Sequence, residues 1–265
     1  MTNRGTNLIV GTGKLGQRFY EYLQSIGQAA ITLSRSPKSW SQHHICYDLL
    51  QNDQPLRSLP KLNTVFIILA PGERTESAYR QTYITAVSNL IAQLHQQQSD
   101  FHCVFVSSTS VYGGNTEPVI NEETKPQPDS FSGRILLEAE QNIKQLHANT
   151  SIVRPSGLYS SLRKRLIDSL LDPEQRDNPK WLNLVHEQDV CQWLWQTAVN
   201  QWPLTIASDG FPFQRKQLQE FKQALSNHTA CIPAFDPSAR QYLSYYHQQL
   251  SLRYPSIFHW LQSHL

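Results

Sequence analysis

Residues Leu8 to Gly16 read Leu-Ile-Val-Gly-Thr-Gly-Lys-Leu-Gly. A short apolar strand runs into Gly11-x-Gly13-x-x-Gly16. Leu15, Phe19, Tyr22, Leu23 and Ile26 then recur at helical spacing, so a helix with one apolar face follows at once. A glycine pattern alone constrains little. One that ends a strand and opens a helix constrains both the fold and the ligand. Gly11 permits a tight turn, Gly13 lets the backbone approach a bound group, and Gly16 lets the helix pack on the strand. The helix start offers unpaired N–H groups and a positive dipole end to an anion. The pattern predicts a dinucleotide site formed by Gly11, Thr12, Gly13, Lys14, Leu15 and Gly16.

Further strands are expected at Ala29–Leu33, Ile45–Tyr47, Thr64–Leu69, Cys103–Val106 and Ser151–Val153. Helical patterns lie between them, clearest at Glu76–Gln96 and Gly133–His147. Near-continuous apolar strands alternating with helices predict an α/β fold, a doubly wound parallel (Rossmann) sheet covered on both faces. In such a sheet the ligand lies beyond the carboxyl ends of the strands. Ser34-Arg35-Ser36 follows the second strand, where an acidic residue would hold the ribose of NAD. An arginine and hydroxyls suit a 2′-phosphate instead, with Lys38 nearby, and predict NADP in preference to NAD. Asp48 and Leu49, after the third strand, are placed to border an adenine. Ala70, Pro71 and Gly72, after the fourth, are small and rigid enough for close cofactor approach. Ser107 opens the run Ser-Ser-Thr-Ser-Val-Tyr-Gly after the fifth.

These segments resemble the extended short-chain dehydrogenase/reductase superfamily, in its NAD(P)-dependent epimerase/dehydratase-like branch. The likeness covers most of the chain. It rests on the glycine motif, the Ser107–Gly113 run, Glu138-Ala139-Glu140, Arg154-Pro155-x-Gly157-x-Tyr159, and Asn183-Leu184-Val185-His186-x-x-Asp189-Val190. The resemblance implies a dinucleotide-binding region over 1–155. It implies a small C-terminal substrate lobe over most of 156–265, with part of 183–207 packing back on the sheet. It also implies a homodimer paired through two helices. Pro203–Ala207 reads as a further strand, Gln214–Leu225 as a helix, Tyr242–Tyr246 as lobe wall and Pro255–Leu265 as a closing helix.

The catalytic set departs from that family. A serine that orients substrate is matched by Ser108. The proton-transferring tyrosine position is Ser132, and the lysine four residues on is Leu136. The asparagine of the proton relay aligns with Tyr83. A serine hydroxyl is far too weak an acid to replace the tyrosine, and a leucine can neither lower a pKa nor bind ribose hydroxyls. The chain resembles atypical members that keep the cofactor pocket without the Tyr-x-x-x-Lys pair. Tyr112 is either a replacement proton donor or a wall residue. Arg134 either binds an acidic substrate or phosphate, or is solvated. Arg154 either points into the cleft or forms a buried ion pair. Tyr159 and His186 fall in motifs that the resemblance places beside the substrate.

No metal site is expected. His186-Glu187 begins like His-Glu-x-x-His, but Val190 holds the second histidine position. His43, His44 and Cys46 alternate faces on an extended chain. A net charge of +2 without a basic run argues against nucleic acid as a partner. No run approaches the roughly 18 apolar residues of a membrane span. Four widely spaced cysteines and no charged-then-apolar leader favour a reducing, cytoplasmic setting. The functional expectation is an NADP(H)-binding epimerase- or reductase-like protein for a small polar carbonyl or sugar-nucleotide-like substrate. Its alternative is a non-catalytic NADP(H)-binding sensor or partner-binding module.

Overall fold

The computed structural model describes residues 5–51, 55–172, 174 and 179–264. Seven strands form one parallel sheet: β1 (Thr6–Val10), β2 (Ala30–Ser34), β3 (His44–Cys46), β4 (Leu62–Ile67), β5 (His102–Val106), β7 (Thr150–Pro155) and β11 (Leu204–Ala207). A two-residue strand, β6 (Val119–Ile120), lies outside it. The spatial order is β11-β7-β5-β4-β1-β2-β3. The chain steps outward from β1 to β3, then returns to place β4 on the other side of β1. The direction of winding reverses there, and the glycine turn sits at that reversal.

Alternation along the strands fills two cores. Leu8, Val10, Val65, Ile67 and Phe105 face α3 (Ala86–His95) and α4 (Phe131–Leu146). Ile9, Phe66, Val104 and Val106 face α1 (Lys14–Ser25) and α6 (Glu187–Asn200). Leu15, Phe19 and Leu23 supply the buried stripe of α1, as their spacing predicts, while Tyr22 of the expected face is half-buried and Ile26 is exposed. Trp193 and Leu194 of α6 are fully buried in the same core.

The expected helix Glu76–Gln96 is interrupted. It runs as α2 (Glu76–Arg80), a π turn at Gln81–Thr85, and α3. Tyr83, in the π turn, lies edge-on to Phe105 with ring centroids 6.2 Å apart. The wider turn lets this ring enter the core without ending the helix.

A third core lies beyond the sheet. It joins Tyr159 of β8 (Gly157–Tyr159), Leu170 of α5 (Lys164–Leu171), Leu184 of β10 (Leu184–His186) and Phe221 of α7 (Arg215–Ser226). Phe213, from the pair β9 (Trp181–Leu182) and β12 (Phe213–Gln214), completes it with Phe258 of α8 (Ile257–His264). Position 265 of the expected closing helix lies outside the described residues. The segment after β13 (Gln241–Tyr242) is pinned by Glu122, which accepts from Ser244 Oγ and Tyr245 N, while Tyr246 stacks on Trp202 at 4.1 Å. No described helix is long and apolar enough to cross a membrane.

Candidate functional site

At the carboxyl edge of β1, β2 and β4 the sheet opens on a cavity of about 640 Å³. Gly11 takes φ +97°, and a Cβ there would stand 2.3 Å from the Ile68 carbonyl oxygen. A Cβ on Gly16 would stand 2.0 Å from the Gly11 carbonyl oxygen. Only the absence of both side chains lets α1 close onto the turn. Gly13 differs: nothing lies within 4 Å of its would-be Cβ, and it faces open cavity. The cradle therefore fits a pyrophosphate at the start of α1.

The loops expected to border a cofactor meet around this space. Gly11, Thr12 and Gly13 line it, with Ser34 at the end of β2 and Arg35 after it, Asp48 and Leu49 after β3, and Ala70 and Gly72 after β4. Thr12 Oγ1 donates to Ser34 Oγ at 2.6 Å, tying the glycine turn to the basic turn. Asn89 of α3 donates to the Leu49 carbonyl at 2.7 Å and Asp48 accepts from Leu50 N at 3.0 Å, which together shape the third loop. Arg35 is exposed, and no carboxylate among the described residues pairs with it. The opposite wall was not anticipated. Thr75, Ala78, Thr82 and Ala86 present a stripe of small residues at helical spacing. That spacing was visible in the sequence and was the available signal.

The remaining candidates stand elsewhere. Leu15 and Gly16 are buried within α1, and Pro71 lies between two lining residues without lining the cavity itself. Lys14 Nζ donates to the Leu162 carbonyl at 2.6 Å. That bond holds the segment 160–163 against the start of α1. Glu187, wholly buried, grips the same segment by accepting from Ser160 Oγ at 2.5 Å and Arg163 Nε at 2.6 Å, with Arg18 Nε 3.9 Å away. Ser107 is buried at the end of β5. Ser108 is half-buried, and its Oγ accepts from Ser110 N at 3.1 Å. Ser132 and Leu136 are buried on α4, so neither restores the missing acid or cation.

Two open readings close here, those of Tyr112 and Arg154, and two expectations need correction, those of Tyr159 and His186. Tyr112 does not face the cleft: its side chain is fully buried and its hydroxyl accepts from Arg154 Nη1. Burial pushes this phenol above its usual pKa, against the pull of Arg154, so it is a poor acid near neutrality. Arg154 is the buried ion pair of its two readings, donating to Glu140 at 2.9 and 2.5 Å. Tyr159 is wholly enclosed in the third core. His186 caps α6 by accepting from Gln188 N, and burial pushes its pKa down to about 3, so it stays neutral among Tyr159, Tyr254 and Trp260. Arg134 is exposed and donates to the Asp129 carbonyl. Among the described residues no three His, Cys, Asp or Glu side chains could hold a metal ion.

Asp189 accepts from Arg253 N at 2.7 Å and Tyr254 N at 3.1 Å, fastening the C-terminal segment to α6. Burial pushes its pKa up to about 6, against the pull of those amides. A carboxyl raised above its unfolded value of about 3.9 favours the folded state in its protonated form. Its contribution is therefore full below pH 4 and lost as pH rises through about 6. Urea unfolding across that window should show this loss in the native protein and a flatter profile in Asp189→Asn. Identical profiles would refute it.

With this geometry in view, comparison gives the family. Residues 8–191 match the profile of the RmlD substrate binding domain. The chain belongs to that family, within the extended short-chain dehydrogenase/reductase superfamily that its motifs resemble. A protein from Methylobacillus flagellatus described as an NAD-dependent epimerase/dehydratase is 25% identical, with a TM-score of 0.74 over 96% of this chain and 95% of that one. UDP-glucuronic acid 4-epimerase from Bacillus cereus, solved with NAD, is 16% identical with a TM-score of 0.73, covering 97% and 94%. MoeE5, solved with UDP-glucuronic acid and NAD, is 20% identical with a TM-score of 0.72, covering 98% and 100%. No curated protein matches the sequence.

Proposed function

We propose that the protein binds NADP(H) and acts as a reductase- or epimerase-like enzyme on a small polar carbonyl or sugar-nucleotide-like substrate. The observation that carries this reading is the open cradle at Gly13 continuous with an acid-free basic turn. Gly11–Gly13 and the start of α1 would hold the pyrophosphate. Ser34, Arg35 and Lys38 would hold a 2′-phosphate, and Asp48 and Leu49 would flank the adenine. When bound, the nicotinamide supplies or accepts hydride. Ser108 orients the substrate oxygen, and with Tyr112 tied to Arg154 the proton comes from solvent rather than from a tyrosine. Two of the relatives described above are solved with NAD, so the choice of NADP rests on the basic turn alone.

Arg35→Ala tests that choice. It should weaken NADP binding by about 1.5–3 kcal/mol, the range for a hydrogen bond to a charged group, and leave NAD nearly unchanged. Tryptophan-to-NADPH energy transfer reads both affinities, and equal losses would sink the preference. Turnover is tested by NADPH oxidation over a panel of aldehydes, ketones and keto-sugars. Ser108→Ala should slow any activity found by roughly a hundredfold. Activity untouched by that change would place the chemistry elsewhere.

A second reading is favoured by the loss of the proton-transfer pair, since Ser132 and Leu136 are both buried in place of the acid and the cation. On that reading the protein is a non-catalytic NADP(H)-binding sensor or partner-binding module. Tight NADPH binding without turnover across the panel supports it.

A further inference from the structure

Behind the turn that follows β2 stands a histidine with no part in the reading above. His44 lies on β3 directly opposite Thr32 of β2. Its Nε2 is 3.0 Å from the Ser36 carbonyl oxygen, and its Nδ1 is 2.8 Å from Thr32 Oγ1. Thr32 Oγ1 is 2.7 Å from Ser41 Oγ, and both residues are buried. The Ser36 carbonyl also accepts from Ser34 Oγ at 3.1 Å. One carbonyl thus joins the imidazole to a hydroxyl of the cavity wall. Lys38 Nζ donates to Ser36 Oγ at 3.1 Å. His44 braces the turn that carries Ser34, Arg35, Ser36 and Lys38, all of which border the cavity.

The charged ring completes this brace: Nε2 donates to the Ser36 carbonyl, Nδ1 donates to Thr32 Oγ1, and Thr32 Oγ1 donates to Ser41 Oγ. The neutral ring has one N–H fewer and leaves one of these contacts without a donor, so the hydrogen bonds favour the imidazolium and the surrounding charge weighs for or against it. The charged and titratable groups around the ring are Lys38 and Arg35 on the turn, His43 and Cys46 along its strand, and Tyr20 of α1, whose hydroxyl accepts from Gln42 N. Without ligand, burial and Lys38 hold the ring below its usual pKa. A phosphate dianion settling on the turn reverses that field and favours the imidazolium. NAD brings no such charge.

We propose, resting on the NADP reading above, that His44 is a positioning residue for cofactor choice: it takes up a proton as the 2′-phosphate binds, and the preference for NADP strengthens as pH falls. Calorimetric titration of the whole protein with NADP and with NAD, in two buffers of different ionisation heat, counts the protons exchanged. Measurements run from about pH 6.5 to about 8.5, above the phosphate's own ionisation near pH 6. A protonated phosphate would release its proton on binding, the opposite sign to uptake by His44.

NADP binding to the wild type should take up protons and weaken roughly three- to tenfold per pH unit where the ring discharges. NAD binding should exchange none. His44→Gln keeps an N–H for the Ser36 carbonyl, so it should bind NAD normally and lose the proton uptake with NADP. Preference for NADP without uptake in the wild type, or uptake that survives in His44→Gln, overturns the role of His44 and leaves the NADP reading standing. Equal affinity for NADP and NAD at every pH overturns both. If the Gln variant fails to fold, the wild-type proton count decides alone.

Discussion

Gly13→Asp should abolish dinucleotide binding while leaving the protein at least as stable as the wild type. Gly13 is the N-cap of α1, with φ −72° and ψ −168°, a conformation open to any residue. Nothing lies within 4 Å of the new side chain's root, so no contact is lost. Aspartate is a favoured N-cap, and its charge suits the positive end of the helix dipole. The same carboxylate occupies the N–H donors that a pyrophosphate needs. Like charges about 4 Å apart near a protein surface repel by about 4 kcal/mol, close to a thousandfold in affinity. Fluorescence titration with NADPH beside a thermal melt separates the two effects. Affinity within threefold of the wild type would mean that the anion does not sit at the start of α1.

The second large effect concerns stability. Arg154 and Glu140 are 5% and 4% exposed and joined by two hydrogen bonds of 2.9 and 2.5 Å. Glu140→Ala leaves a guanidinium buried with the Tyr112 hydroxyl as its remaining hydrogen-bond partner. Removing one member of such a pair costs about 3–5 kcal/mol. Urea unfolding should show that loss, and Glu140→Leu with Arg154→Met should recover much of it, because an apolar pair carries no desolvation cost. A loss below about 1 kcal/mol would show that water reaches the pair.

The sheet and the cofactor cradle were legible because both are local. Alternation at Leu8, Ile9 and Val10 names the two faces of β1, and the Gly11-x-Gly13-x-x-Gly16 spacing is a local pattern, with Gly16 closing on the Gly11 carbonyl, although the carbonyl that Gly11 must clear belongs to distant Ile68. Arg35 was readable because its position relative to β2 is set by the fold. The fate of Arg154 was not readable. Whether it meets a ligand or a carboxylate depends on Glu140, carried on a different element at a register that spacing does not encode. Tyr112 followed Arg154 into the interior for the same reason. The π turn at Gln81–Thr85 escaped because one extra residue in a helical turn leaves the apolar periodicity on either side intact. The bond from Lys14 to Leu162 joins positions 148 apart in sequence, and no local pattern announces it.

The grip of Glu187 on the segment 160–163 has a thermodynamic consequence. This carboxylate receives Ser160 and Arg163 from the segment that follows β8 and lies beside Arg18 of α1, the helix that opens at the glycine turn. A ligand that draws the segment aside must also release Lys14, whose ammonium then becomes free for an anion at the glycine turn. Binding at the two ends of the cleft would thereby be linked, and linkage is reciprocal. On the function proposed above, whatever factor a substrate imposed on cofactor binding the cofactor would impose on the substrate, with Glu187 as the hinge of the exchange.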